Sequence, residues 1–183
     1  PWPDPEHDPQ RWLREFPLGK WATDLSMDPD EYVAAVQEHF TFLETDCNIT
    51  IPSLEMQPAA HSFSAPDLGP ALYVATGHVD DARDPTTMRG PGPEGAMREL
   101  AGSLRKYVDW VCQSPQKMGL FDVLRLHQYA YGSVALGEKQ LYLIDVEPVL
   151  AATQDKDHWS YQRWQDRKEE LEEWSALWAP PTE

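Results

Sequence analysis

The sequence is poor in cysteine and in long apolar runs, and each shortage excludes a class of protein. Two cysteines, Cys47 and Cys112, are too few for a dense disulfide framework or a four-thiolate zinc site. They predict two unpaired thiols, although a single bridge between them stays open. No apolar run approaches the roughly 18 residues that a membrane-spanning helix needs. We therefore expect a cytoplasmic protein with no membrane partner.

Basic residues are also scarce, since 15 Lys and Arg stand against 31 Asp and Glu, for a net charge of −16. Nucleic acid and anionic lipid carry charge of the same sign, which argues against both as partners and favours a basic protein. The acid is uneven, because residues 1–50 carry a net −8 and residues 101–150 a net of zero. A plainer interpretation is that the charge serves solubility alone.

Recognisable motifs for catalysis or cofactor binding are missing as well. The chain contains no GxSxG, no phosphate-binding P-loop, no GxGxxG, and no histidine pair at HExxH spacing. The glycine-rich stretch at residues 90–95 precedes a predicted helix, but its prolines remove amide donors that a phosphate would need. The sequence thus predicts no metal and no cofactor.

Proline-rich segments mark the start of the chain and one internal stretch. Residues 1–25 are rich in proline and tryptophan, and Asp8 followed by Pro9 predicts a short helix through Leu13. The apolar side chains that follow predict a strap across the domain surface. Residues 78–93 predict a long loop. We expect a single domain over residues 1–183, as is usual at this length.

Three longer helices follow from the spacing of apolar residues. The first covers residues 29–45, where Asp28 and Glu31 form an acidic variant of the capping box. The second covers residues 93–113, and the third covers residues 155–178. In each, apolar side chains recur at three- and four-residue intervals, which is typical of one buried helical face.

Strands are predicted at residues 49–51, 71–76, 123–134 and 140–147. The last two form a hairpin around a turn that contains glycine. The order of elements favours an α+β fold with an antiparallel or mixed sheet of about four to five strands and helices packed on one side. Residues 71–178 read as β-α-β-β-α, most of a ferredoxin-like split unit.

The hairpin carries the first candidate site. Alternate residues of a strand share a face, so His127 lies among polar and aromatic side chains on strand 123–134. Depending on the register, Asp145 or Glu147 of strand 140–147 lies beside it. A histidine–carboxylate pair supports general acid–base chemistry, although the same residues suit an ordinary exposed sheet face. The candidate catalytic residues are Arg125, His127, Tyr129, Tyr131 and Asp145.

Acid and tryptophan suggest the second candidate site. Four of the eight tryptophans fall on helix core faces and four lie outside them, and exposed aromatic residues often anchor interfaces. With the acidic clusters, they predict a surface for a basic protein. The candidate partner-binding residues are Trp12, Trp21, Asp28, Asp30, Glu31, Trp159, Glu169 and Glu172.

Two classes of function follow. The first is an acidic, non-enzymatic binding protein that occludes a basic protein partner, as an immunity protein or inhibitor does. The alternative is a small-molecule enzyme or ligand-binding domain that uses the face around His127. A DNA-mimicking inhibitor also fits the charge. A concave pocket shared by His127 and Asp145 favours the alternative, and a flat face excludes it. The composition is typical of bacteria with GC-rich genomes.

Overall fold

A computed structural model describes residues 11–65, 67, 69–135 and 137–178, except for the side chains of residues 11 and 12. These residues form four α-helices and three small antiparallel sheets, which confirms the α+β class. In chain order the elements are β1 (Arg11–Phe16), α1 (Leu18–Asp24), α2 (Pro29–Thr45), β2 (Glu55–Ala59), β3 (Ala71–Gly77), β4 (Asp80–Arg83), α3 (Pro91–Gln113), β5 (Met118–Leu120), β6 (Tyr129–Ser133), β7 (Gln140–Leu143), β8 (Leu150–Ala152) and α4 (Trp159–Ala176).

The strands are divided among three sheets rather than gathered in one. Their orders are β1-β3-β2, β4-β6-β7 and β5-β8. A single sheet of four to five strands and a ferredoxin-like unit are therefore not confirmed. Strand β3 lies at the centre of the first sheet and is buried from Ala71 to Thr76. It is a continuous apolar run without alternation, which is typical of a strand covered on both faces.

The start of the described chain differs from the sequence prediction. Residues 11–13 belong to β1 and not to a helix, so the helix predicted through Leu13 is wrong there; Asp8 and Pro9 lie outside the described residues. Along β1, Arg11 pairs with Gly77 and Phe16 with Leu72 of β3. This pairing supplies hydrogen bonds that local propensity does not anticipate.

The three longer helices are confirmed to within a few residues. At the start of α2, the Asp28 carboxylate accepts a hydrogen bond from the Glu31 amide at 2.9 Å, and the Asp28 amide donates to the Glu31 carboxylate at 3.3 Å. The predicted capping box is therefore present. Helices α3 and α4 contact each other and bury Leu104 and Trp164 between the elements of the core.

The strand predicted at residues 123–134 is only partly a strand. Residues 122–124 and 126–128 form two 3-10 turns, and β6 begins at Tyr129. Val123 and Leu124 are both buried, which a half-exposed strand does not allow for consecutive residues. The Tyr129 hydroxyl donates to the Val123 carbonyl at 2.8 Å and closes the turn. The alternating face drawn through His127 is therefore wrong.

The predicted loop at residues 78–93 holds regular structure. It contains β4, a 3-10 turn at Pro85–Thr87 and the first residues of α3. Strand β4 lies close to β6 at Gly132, where a Cβ atom would stand 2.5 Å from the Asp80 carbonyl oxygen. Glycine is required here because any side chain would push the two strands apart.

The core between α2 and α3 contains a buried histidine. His39 lies 2.7 Å from the Tyr107 hydroxyl through Nδ1, and the Leu120 amide donates to the same hydroxyl at 2.8 Å. Because this hydroxyl already accepts from Leu120, we assign its O–H as the donor to the neutral Nδ1 of His39, and His39 Nε2 is buried without a hydrogen-bond partner among the described residues. Burial lowers the pKa of His39 to about 4.

Both cysteines are free, as expected, with Cys47 buried and Cys112 exposed. Burial raises the pKa of the Cys47 thiol to about 11, so this thiol is held in its protonated, unreactive form. Among the described residues, no helix combines the length and the apolar composition that crossing a bilayer requires.

Candidate ligand-binding cleft

A cleft of about 400 Å³ opens between the first and second sheets, and we call it the His127 cleft. Its walls come from β1, the second half of β3, strand β4, the 3-10 turn at residues 126–128 and the segment after β7. The lining combines five aliphatic side chains with five polar or charged ones, and such a mixture suits a small-molecule site. The lining residues are Arg14, Val74, Thr76, Gly77, His78, Val79, Ala82, His127, Ile144, Asp145 and Val146.

Two histidines reach this cleft from different elements. His127 lies in the 3-10 turn before β6, and His78 lies in the turn between β3 and β4. Both side chains are exposed, and neither makes a hydrogen bond to any other residue that the structure describes. His127 interacts electrostatically with Asp84: the pKa of Asp84 is lowered mainly by hydrogen bonds from Thr86, and His127 adds a smaller effect in the same direction. Both imidazoles are therefore available to a ligand.

Asp145 lies in the same cleft and is fixed by two side chains. Arg14 of β1 forms a salt bridge with its Oδ1 atom. The amide of Gln128, oriented to satisfy its neighbours, donates to Oδ2 at 2.9 Å and to the Asp145 carbonyl at 3.1 Å. The Gln128 carbonyl in turn accepts from the Ile144 amide at 2.9 Å. Asp145 is thus a positioned, charge-paired carboxylate.

A cluster of charged groups lies behind this wall. Asp122 is buried, and its Oδ1 atom stands 3.5 Å from Arg125 Nη1 and 3.8 Å from Arg167 Nε. A hydrogen bond with Asp122 and burial raise the pKa of Glu147 to about 7, and the negative charges of Asp122 and Asp145 act in the same direction. Next to the cleft carboxylate Asp145 there is therefore a pair of interacting carboxyl groups, Glu147 and Asp122.

The remaining candidate catalytic residues lie away from the cleft. Arg125 faces Asp122 in the charged cluster. Tyr129 is buried with its hydroxyl bonded to a carbonyl, and burial raises its pKa far above the ordinary range. The Tyr131 hydroxyl lies near Gly92 at the start of α3. The structure therefore brings His127 and Asp145 to one cavity and leaves the other three outside its lining.

From the sequence, Arg14 and Asp122 were not predicted as members of a site, and Glu147 was predicted only as the alternative to Asp145 on strand 140–147. Arg14 directly follows residues for which the sequence predicts a helix, so its place in a strand beside the cleft was not expected. Glu147 shares the alternation of Asp145, and that signal was present in the sequence. Asp122 carried no local signal, because its role depends on arginines from a 3-10 turn and from α4.

The candidate partner-binding residues around α2 have structural contacts of their own. Asp28 and Glu31 form the capping box, and Asp30 is exposed in the first turn. Trp21 is half-buried, with its ring centroid 5.5 Å from that of Phe16. The side chain of Trp12 lies outside the described residues, although its backbone belongs to β1.

The candidate partner-binding residues on α4 form two separate groups. Trp159, 50% exposed, begins the helix, and its ring lies 5.0 Å from the Arg163 guanidinium. Glu169 is exposed further along, and Glu172 accepts two hydrogen bonds from Arg105, which lower its pKa. Ten residues of helix separate Trp159 from Glu169, or about 15 Å.

Comparison of the chain with protein-family models, curated proteins and solved structures gave no match in any of the three. Within the described residues, no group of three or more His, Cys, Asp or Glu side chains is arranged to hold a metal ion.

Proposed function

We propose that the protein is a small-molecule-binding domain and that the His127 cleft is its ligand site. The observation that carries this proposal is the concave cavity of about 400 Å³ that contains both His127 and Asp145. Its size suits a metabolite or a cofactor fragment rather than a protein segment. This is the alternative that the sequence alone left open.

The chemistry of the lining narrows the kind of ligand. Val74, Val79 and Ile144 offer an apolar wall for the body of a small molecule. His78 and His127 offer imidazole nitrogens that donate or accept hydrogen bonds at the cleft mouth. A ligand with an apolar body and one polar or anionic group fits this arrangement. Two imidazoles and a carboxylate in one cavity are also groups that could transfer protons, so the same site could support general acid–base catalysis.

A fragment screen followed by protein NMR tests the proposal. We expect hits to shift the backbone amides of residues 74–82, 127 and 144–146, and His127→Gln to weaken their binding about tenfold. His61→Gln is the matched control, because His61 is also exposed but lies outside the cleft. Hits that map elsewhere, or that bind the His127→Gln variant unchanged, would contradict the proposal.

A second candidate function, the binding of a basic protein, is favoured by one observation at the start of α4. Trp159 is half exposed, and the neighbouring His158 lies 2.9 Å from the Asp24 carbonyl through Nε2. This contact brings the start of α4 to the end of α1, which Asp28, Asp30 and Glu31 follow closely in the chain. An exposed aromatic residue on a strongly acidic protein suits a basic partner with an apolar anchor.

Affinity capture at low salt with mass spectrometry tests this candidate. The expected partner is basic, associates more slowly as salt rises, and is lost when Trp159 is replaced by alanine. Phe63→Ala is the matched control, since Phe63 is 85% exposed and belongs to another part of the molecule. Equal capture by both variants, or association that is independent of salt, would rule this function out.

A further inference from the structure

The charged cluster behind the His127 cleft is joined to the cleft by one side chain. Arg14 of β1 bonds Asp145 Oδ1 through Nη1, and its Nη2 lies 3.8 Å from Glu147 Oε1. Asp145 lines the cavity, whereas Glu147 is not part of its lining and interacts with Asp122. The guanidinium therefore stands between a carboxylate in the cleft and a carboxyl group outside it.

The surroundings of the two hidden carboxyl groups are unequal. Asp122 faces two guanidinium groups, those of Arg125 and Arg167, and Arg167 is also paired with Glu170. Glu147 faces Arg14 on one side and the acidic groups of Asp122 and Asp145 on the others. When two carboxyl groups share one proton, the group with less positive charge nearby holds it. The acidic neighbours of Glu147 therefore favour its protonated form, against the single opposing charge of Arg14.

We propose that the protonation state of Glu147 regulates the His127 cleft through Arg14, which contacts both Glu147 and the cleft residue Asp145. With the proton in place, Arg14 faces one full negative charge, Asp145, and holds it. When Glu147 releases its proton to solvent, Arg14 faces two carboxylates and is drawn toward Glu147, which loosens Asp145 and adds negative charge beside the cavity. The use of this response to control ligand binding rests on the function proposed for the cleft.

The raised pKa of Glu147 places the change near neutral pH. The hydrogen bond with Asp122 is the largest cause, and Arg14 acts in the opposite direction. The side chain is 32% exposed, so the proton has a route to water without local unfolding. His127 and His78 line the same cavity, so the experiment must separate their contribution from that of Glu147.

One added charge beside the cleft has a predictable effect on ligands. An anionic ligand should bind about fivefold more weakly once Glu147 is ionised, given the attenuation of charge interactions near a protein surface. A cationic ligand should change in the opposite direction. Glu147→Gln keeps the shape of the side chain without its titration and should remove this difference.

Heteronuclear NMR titration from pH 5.5 to 8.5 tests the proton-dependent contact directly. We expect the Arg14 side-chain nitrogens and the Asp145 carboxyl carbon to shift with the midpoint of Glu147, and the shift to vanish in Glu147→Gln. His127→Gln should retain it, which separates the carboxyl pair from the histidines. The Arg105–Glu172 pair, remote from the cleft, should not follow this transition. An Arg14 signal that does not change, or that changes equally in Glu147→Gln, would overturn the inference.

Binding of the anionic fluorophore 8-anilinonaphthalene-1-sulfonate at pH 6 and pH 8 tests the regulation. We expect the wild-type protein to lose more affinity at pH 8 than Glu147→Gln does, with chemical-shift changes at the cleft amides. The same loss in both proteins would overturn the inference and leave the ligand site standing. An Arg14 transition in a protein whose cleft binds neither fragments nor the fluorophore would support the proton-dependent contact and contradict the proposed function.

Discussion

The buried His39–Tyr107 pair and the Asp122–Glu147 cluster show two ways of placing polar groups inside this protein. His39 is neutral, bonded to one hydroxyl and enclosed by aromatic rings, with the Trp110 centroid 4.9 Å away. The cluster is ionic, half open to water and contacts several arginines. The first has one stable arrangement and serves the core. The second has alternatives that differ by a proton, which is what a responsive site needs.

The largest expected effect concerns the protonation of His39. Between pH 6.5 and 4 the unfolded chain binds a proton on this residue that the folded protein excludes. The unfolding free energy should therefore fall by about 3 kcal/mol on acidification, at about 1.4 kcal/mol for each unit of pKa difference. Urea unfolding across this range measures it, and His39→Gln should lack this part of the slope. Identical slopes in the two proteins would contradict the buried neutral state.

The next effect concerns the Tyr107 hydroxyl. Tyr107→Phe removes the partner of both His39 Nδ1 and the Leu120 amide, and leaves two buried groups unsatisfied. We expect a loss of about 2 kcal/mol in unfolding free energy. Tyr129→Phe is the matched control, because Tyr129 is equally buried but makes one hydrogen bond, so its loss should be about half. Equal losses of unfolding free energy in the two variants would contradict the double role of the Tyr107 hydroxyl.

Glu147 should change the unfolding free energy in the opposite direction, and by less, because its side chain is 32% exposed and is partly screened by water. Its pKa is raised in the folded protein, so its contribution to stability is complete below pH 4.5 and is lost as pH rises through about 7. Wild-type stability should therefore decline relative to Glu147→Gln over this interval, whereas His39 produces a rise. Differential unfolding of the two proteins at pH 5 and pH 8 measures the change. The exposed Glu173→Gln variant serves as the control and should keep the wild-type profile.

The smallest effect on stability should follow Arg14→Gln. Arg14 and Asp145 are each about 40% exposed, and pairs this exposed contribute less than about 1 kcal/mol. Removing Arg14 should nevertheless raise the pKa of Glu147 further, since the arginine favours its ionised form. Carboxyl NMR measures this shift. Arg105→Gln breaks a pair of similar exposure with Glu172 and should leave Glu147 unchanged. A large loss of unfolding free energy in Arg14→Gln would contradict this prediction, because it would mean that Arg14 is part of the structural core.

The elements predicted well from the sequence are those fixed by neighbours in the chain. Helix α2 begins and ends where its capping residues and apolar spacing indicate, and the β6–β7 hairpin forms around its expected turn. Strand β1 and the 3-10 turns before β6 were missed, because each depends on contacts with distant segments. Of the candidate site, His127 and Asp145 came from the sequence, while Arg14, which is 131 residues from Asp145, did not.

By itself the sequence determined the α+β class, the three longer helices, two free thiols and the strong acidity of the chain. These features depend on residue type and on spacing of a few positions, so local rules suffice. The tertiary structure decided which polar groups meet. It placed His127 and Asp145 in one cleft, joined Glu147 to Asp122 and put Arg14 between them, because charges from distant segments interact only after the chain has folded.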